Sequence, residues 1–310
     1  MDFTVTHVTR FAYQGPVSER AMEVRLVPRS DGRQEVPAFE MTTNPAATIF
    51  SYVDAFGNDV RHFDIVAPHS ELVVHTLARV RTQPSRHLPE RLESEAWVAL
   101  RALRANGEFW DFFEPTPRVP ISDAVRAFAE ALEIGSASDP LTCLRRTVSG
   151  VHKALTYAPD STTVDTPLQT VLDTRRGVCQ DFAHVALALL RAHDIPCRYV
   201  SGYLAPATET PAQQNLTSHA WIEAWIPGLE WIGFDPTHDR EVGDHHISVA
   251  VGGDYGDAAP THGVFRGGPA GALSVLVQIE RDGTVSLGEM HWGPPGLVAN
   301  ATPAVVQFDQ

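Results

Sequence analysis

Cysteine is scarce in this chain, three in 310 residues, and the three stand apart at positions 143, 179 and 197. An odd, dispersed set excludes a disulfide framework and suits a reducing compartment, so the thiols are expected to be free. No uninterrupted apolar run approaches the ~18 residues of a spanning helix, and the opening MDFTVTHVTRF lacks the basic-then-apolar order of a secretory leader. The expectation is a cytoplasmic protein with no membrane partner. Positive charge is also short: 24 Lys and Arg against 38 Asp and Glu leave a formal net charge of −14. That balance opposes binding to a phosphate backbone, so no nucleic-acid partner is expected.

What is present has the length of two domains, since single cores stop growing near ~250–300 residues. From Phe3 to about Val80 the text alternates and turns often: FTVTHVTRFAY, MEVRLVP, then SYVDAFGNDVRHFDIV bending at Gly57 and Asn58, then ELVVHTLARV. This is the pattern of several short antiparallel strands, an all-β domain over residues 1–85. TQPSRHLPE, residues 82–90, holds two prolines and little apolar content and reads as the linker. Beyond it, Leu92–Arg104, Ser122–Leu132 and Leu141–Leu155 carry helical spacing, the second started by Ser122 and Asp123. CQDFAHVALALLRAH is then a buried helix stopped by Pro196. Arg198–Leu204, Ala220–Ile226, Glu230–Asp235, Ile247–Val251 and Leu273–Glu280 read as strands of a mainly antiparallel sheet. Residues 86–290 are thus expected to form one α+β domain. Gly252–Gly271 reads as loop or extended wrapping, and 291–310 as an extended tail. No internal repeat is visible.

Cys179 opens the helical run. A thiol in the first turn of a helix sits among unpaired backbone N–H groups at the positive end of the macrodipole, which favours a thiolate and can hold an oxyanion. By itself a cysteine there is as well explained by packing. The deciding features lie downstream. SHAWIEAWI alternates strictly, so His219, Trp221, Glu223 and Trp225 share one sheet face. EWIGFDP follows across a Pro227-Gly228 turn and ends at Asp235. A pivot at 227 sets His219 beside Asp235, and a slip of a residue or two leaves them neighbours or diagonals. If the helix mouth faces that pair, the three form a nucleophile, a general base and an orienting acid.

GVCQDFAH, IPCRYVSGYL and SHAWIEAWIPGLEWIGFDPTH, in that order, resemble the core of the transglutaminase-like superfamily, in its bacterial branch related to papain-like cysteine enzymes. The resemblance spans roughly residues 150–252. LVPR, DAFGN and VAPHSEL resemble the N-terminal domain that bacterial members often carry. It implies helices packed on an antiparallel sheet, with Cys179 as nucleophile, His219 as base and Asp235 as orienting carboxylate. Asp181 and His184 match the motif too and are expected to support the site or touch substrate. Trp221 is expected in the core or cleft wall, and either Gln169 or Tyr157 as second oxyanion donor. Cys197 is expected to be structural.

The implied chemistry is attack on an amide carbonyl through an acyl thioester, most simply by a peptidase or amidase acting on a peptide, isopeptide or protein substrate. A transglutaminase that passes the acyl group to an amine uses the same residues, and a non-catalytic peptide-binding module is the alternative from another class. Self-association as a homo-oligomer stays open. His238, Asp239, Asp244, His245, His246 and His262 crowd one stretch, but without zinc-ligand spacing or an EF-hand loop. They read as a polar loop, and neither a metal nor another cofactor is expected.

Overall fold

The computed structural model describes residues 1–206, 218–268 and 271–281; the tail expected over 291–310 lies outside the described residues. The chain divides into two units.

The first unit is a sheet built from β1 (Asp2–Val24), β2 (Gln34–Asn44), β3 (Phe50–Val53), β4 (Asp59–Ile65) and β5 (His69–Thr82), in the order β2-β5-β1-β4-β3. Two late segments, β13 (Thr261–Gly267) and β14 (Ala272–Arg281), also pair with β1. β1 is 23 residues long against a usual 5–6, and it changes neighbours part-way. Phe3–Ala12 lies between β5 and β14, whereas the stretch from Val17 to Val24 engages β13, with β4 joining from Arg20. The register shifts between Ser18 and Ala21, around Glu19 with its positive φ of 48°, the behaviour of a bulge that bends a strand. Phe11, Met22, Val24, Leu26, Phe63, Ile65, Leu72 and Val74 fill the core against which these strands close. The DAFGN bend is held by Asp54, whose carboxylate accepts from the backbone N–H of Phe56 and Asn58 and from Arg25.

Two expectations are corrected here. FTVTHVTRFAY and MEVRLVP are not separate short strands: their strand positions, up to Val24, are one continuous β1. Nor do residues 86–290 form one domain. Thr261–Gly267, expected to be loop or extended wrapping, is a strand, and Leu273–Glu280 belongs to β14; both complete the N-terminal sheet instead of the later one. The physical reason is that β1 has a free ladder edge along its whole length, and alternation in a sequence shows that a strand exists without naming its partner.

The second unit opens with α1 (Glu95–Ala105), α2 (Trp110–Phe113), α3 (Asp123–Ala131) and α4 (Pro140–Ala154). Ser122 Oγ caps α3 by accepting from the Val125 N–H, and Asp139 caps α4 by accepting from Thr142, with Pro140 in the first turn. The short strands β6 (Thr156–Tyr157) and β7 (Arg176–Gly177) pair in parallel around α5 (Leu168–Thr174). α6 (Cys179–Arg191) follows, and every residue from Gln180 to Arg191 is buried. The apolar stripe read from the sequence is therefore only part of what is covered. α3, α4 and α5 pack against α6, and the sheet covers it through β9, so even Gln180, Asp181, His184 and Arg191 are enclosed.

That sheet consists of β8 (Cys197–Leu204), β9 (His219–Ile226), β10 (Glu230–Asp235), β11 (Arg240–Glu241) and β12 (His246–Gly252), in the order β11-β10-β9-β8-β12. β8 with β9, β9 with β10 and β10 with β11 are antiparallel. Part of the expected Gly252–Gly271 loop is α7 (Tyr255–Ala258), a short turn beside β12. The fold is α+β, an all-β N-terminal region followed by helices on an antiparallel sheet. Among the described residues no helix is long and apolar enough to cross a membrane.

Candidate active site

Cys179 is the first residue of α6, and the turn beneath it is fixed by a carboxylate two residues on. Asp181 Oδ2 accepts from the backbone N–H of Val178 at 2.8 Å and from Thr162 Oγ1 at 2.6 Å. Burial raises the Asp181 carboxyl, and these donors oppose that rise. Gly177 must be glycine here, because a Cβ would lie 2.6 Å from Asp181 Cβ and 2.7 Å from its Oδ2. Asp181 is thus the clamp of the Cys179 turn, a positioning role.

The other two groups arrive on β9 and β10. Their register pairs Phe234 with Ile222 and Trp231 with Trp225, which places Asp235 across from Trp221 and diagonal to His219. The side chains close that gap: His219 Nε2 donates to Asp235 Oδ2 at 2.8 Å. The ring's second partner is Cys179, which leaves Nδ1 to face the sulfur. Burial disfavours charge on His219, but the bonds to Asp235 and Cys179 outweigh it and push the imidazole up to about 9. Asp235 is fully buried, yet hydrogen bonds from His219, His238 and His246 hold it well below the usual carboxylate range. The structure therefore brings Cys179, His219 and Asp235 together as a connected thiol, imidazole and carboxylate.

Asp235 has more partners than a triad needs. His238 Nδ1 donates to Oδ2 at 2.8 Å, and His246 Nε2 reaches the same oxygen at 3.3 Å. Oδ1 accepts the backbone N–H groups of Thr237 at 3.0 Å and His238 at 3.3 Å. The tautomer of His246 follows from its other side: Nδ1 accepts the Gly243 N–H at 3.2 Å, so Nε2 carries the proton given to Asp235. Burial lowers the His246 imidazole, which keeps it in this neutral form. Of the histidine-rich stretch read as a polar loop, His238 and His246 bond directly to Asp235. The available signal was DPTH, which returns a side chain three residues after Asp235; nothing in the sequence places His246 there. His219, Asp235 and His238 also offer ligand atoms within 4.8 Å of one another.

The remaining candidates divide. Trp221 is fully buried, stacked edge-on to His246 at 5.2 Å and 6.0 Å from the His219 ring, so it is the floor beneath the triad. His184 is buried with its Nε2 accepting the Tyr255 N–H at 3.2 Å and its ring 5.2 Å from Tyr199; burial pushes it down to about 3. It braces α6 against the α7 turn and makes no bond to the triad among the described residues. Gln169 is exposed on α5, donating to Asp173 at 2.8 Å. Tyr157 is half exposed, lies beside Gly177 in the β6–β7 pair, and feels Cys179 electrostatically. Cys143, Cys179 and Cys197 are all free; Cys197 is fully buried, with its thiol pushed up to about 11 by burial.

A thiol at a helix mouth, an imidazole on the next sheet and a carboxylate behind it define the papain-like class of cysteine sites. The chain belongs to the transglutaminase-like superfamily, whose core matches residues 126–236, preceded by the bacterial transglutaminase-like N-terminal region over residues 3–81. It is 37% identical over 279 residues to an uncharacterized protein of Mycobacterium leprae, covering 89% of this chain and 98% of that one. Over 107 residues it is also 37% identical to a protein-glutamine gamma-glutamyltransferase of Pseudomonas aeruginosa, covering 33% of this chain and 16% of that one. In fold it is similar to a crystal structure from Cytophaga hutchinsonii described as a candidate cysteine protease, with a TM-score of 0.72 at 22% identity and 92% of both chains covered.

Proposed function

We propose that the protein is a cysteine-dependent amide-bond enzyme, a peptidase or amidase acting on a peptide or isopeptide through an acyl thioester. The observation that carries this reading is His219, hydrogen-bonded to Asp235 on one side and to Cys179 on the other. In the forward step the Cys179 sulfur attacks the carbonyl carbon. The proton held by His219 passes to the leaving nitrogen, and the amine departs from the thioester. Water then enters; His219 takes its proton, the acid leaves and the thiol is restored. Asp235 keeps the ring oriented and stabilises its charged form throughout.

Backbone N–H groups at the mouth of α6 are one source of oxyanion stabilisation. Tyr157 supplies the second donor: burial and the neighbouring Cys179 both raise its hydroxyl, so it keeps its proton. Gln169 instead donates its amide N–H to Asp173.

The sequence likeness to the Pseudomonas gamma-glutamyltransferase favours a second reading, in which an amine instead of water resolves the thioester. The experiment is to label the protein with a thiol-directed warhead and then offer a peptide library with and without a labelled amine. The expected result is one adduct at Cys179 and release of free acids without amine incorporation. Amine incorporation moves the assignment to the transferase; an unlabelled thiol with no turnover leaves a peptide-binding module.

A further inference from the structure

Asp235 carries more imidazole than orienting His219 requires. His219 Nε2 and His238 Nδ1 converge on one carboxylate oxygen, each at 2.8 Å, and the three donor atoms lie within 4.8 Å of one another. Two nitrogens and one oxygen are a donor set suited to zinc. Two imidazoles on a tetrahedral zinc with Zn–N of about 2.0 Å hold their ring centroids roughly 5 Å apart; those of His219 and His238 are 5.2 Å apart, inclined at 62°. Donor atoms around such an ion stand about 3.3 Å from one another, so each 2.8 Å contact needs to open by only a few tenths of an ångström. His238 can make that movement because its side chain is 45% exposed.

We propose that Asp235, His219 and His238 form an inhibitory site for a zinc-class divalent cation, which shuts the enzyme by taking the nitrogen that Asp235 otherwise orients. Zinc accepts the lone pairs of His219 Nε2, His238 Nδ1 and Asp235 Oδ2. The proton leaving His238 Nδ1 is replaced by one on its Nε2. The proton leaving His219 Nε2 goes to solvent or to its own Nδ1. With zinc on Nε2 and a proton on Nδ1 the His219 ring has no lone pair left, so it cannot take a proton from Cys179 and become the imidazolium that the acyl chemistry needs. His246, still donating to Asp235, serves as the outer partner that holds the ligating carboxylate. Water would complete the four-coordinate shell.

That zinc binds rests on these donors alone; that binding shuts the enzyme rests on the proposed acyl chemistry, so the test reads binding and not turnover. The full-length protein, Cys179→Ala and His238→Ala are each titrated with zinc against a chromophoric zinc chelator, with circular dichroism to confirm that each is folded. The expected result is one zinc per chain at micromolar affinity in the first two, and at least about tenfold weaker binding in His238→Ala. Loss of binding in Cys179→Ala overturns the assignment in favour of thiolate ligation. Unchanged binding in His238→Ala, or none tighter than about 100 µM in the unmodified chain, overturns it outright.

Discussion

Asp235 stands diagonal to His219 across β9 and β10 and still receives its Nε2 proton at 2.8 Å. Trp221 occupies the directly opposite position, fully buried, and so fills the space between the strand ladder and the two polar side chains. The arrangement keeps water from the carboxylate while letting the imidazole extend toward the mouth of α6. Three consequences of this geometry can be measured on the site itself.

Cys179→Ala should abolish turnover and leave the fold intact. The residue is only partly buried, at the first position of α6, so loss of the sulfur should cost about 1–2 kcal/mol at most. Peptide turnover together with a urea melt checks both halves; measurable turnover in this variant defeats the thioester mechanism.

Asp235→Asn keeps the side-chain shape but replaces a charged oxygen that accepts three imidazole donors. The amide cannot stabilise the imidazolium and competes for its tautomer. A drop in kcat on the order of 10²–10⁴ is expected. Kinetics equal to the parent would reduce Asp235 to a turn residue before Pro236.

His246 acts through Asp235 and is a positioning residue. His246→Phe keeps a ring against Trp221, with which the histidine packs edge-on at 5.2 Å, while deleting the bond to Oδ2. Loss of one such donor should lower kcat roughly tenfold with KM unchanged. A variant that loses thermal stability but keeps kcat would assign His246 to packing alone.

Gly202, on β8, is a close-approach glycine. A Cβ there would collide with the Ile247 carbonyl oxygen and the Trp221 ring, and a backbone carbonyl in a sheet cannot swing aside. Gly202→Ala should destabilise by about 1–3 kcal/mol or more, read as a lower urea midpoint, and should disturb the Trp221 floor enough to reduce kcat. An unchanged midpoint would show that β8 and β12 can part locally.

Much of this was legible in the sequence because the chemistry is local. The thiol marks a helix start, and strict alternation in SHAWIEAWI puts His219 and Trp221 on one face. The turn at Pro227-Gly228 brings Asp235 back within diagonal reach. What stayed hidden depends on partners distant in the chain. Alternation in Leu273–Glu280 is equally compatible with either sheet, and only the long free edge of β1 decides it. His246 reaches Asp235 through strand order β10-β9-β8-β12, which no spacing rule encodes. The polar residues inside α6 interrupt a helical stripe because that helix is covered on all sides.

His7 provides a stability test away from the site. It is 1% exposed within β1, in a hydrogen bond with Thr9 Oγ1 at 2.9 Å. Burial, reinforced by His75, lowers its imidazole from 6.5 to about 4. The unfolded chain therefore binds a proton near pH 6.5 that the folded chain refuses until about pH 4. Its contribution is fully present above pH 6.5 and is lost as the pH falls from there toward 4, by roughly 3 kcal/mol across that window. His184, lowered to about 3 for the same reason, adds a parallel loss, so the informative quantity is a difference between variants. His7→Gln keeps a polar group for Thr9 but cannot take the proton. Urea-derived stability of the parent should fall more steeply than that of His7→Gln between pH 6.5 and 4, the two curves converging toward the acid end. Parallel curves would mean that His7 is already reached by water in the folded sheet.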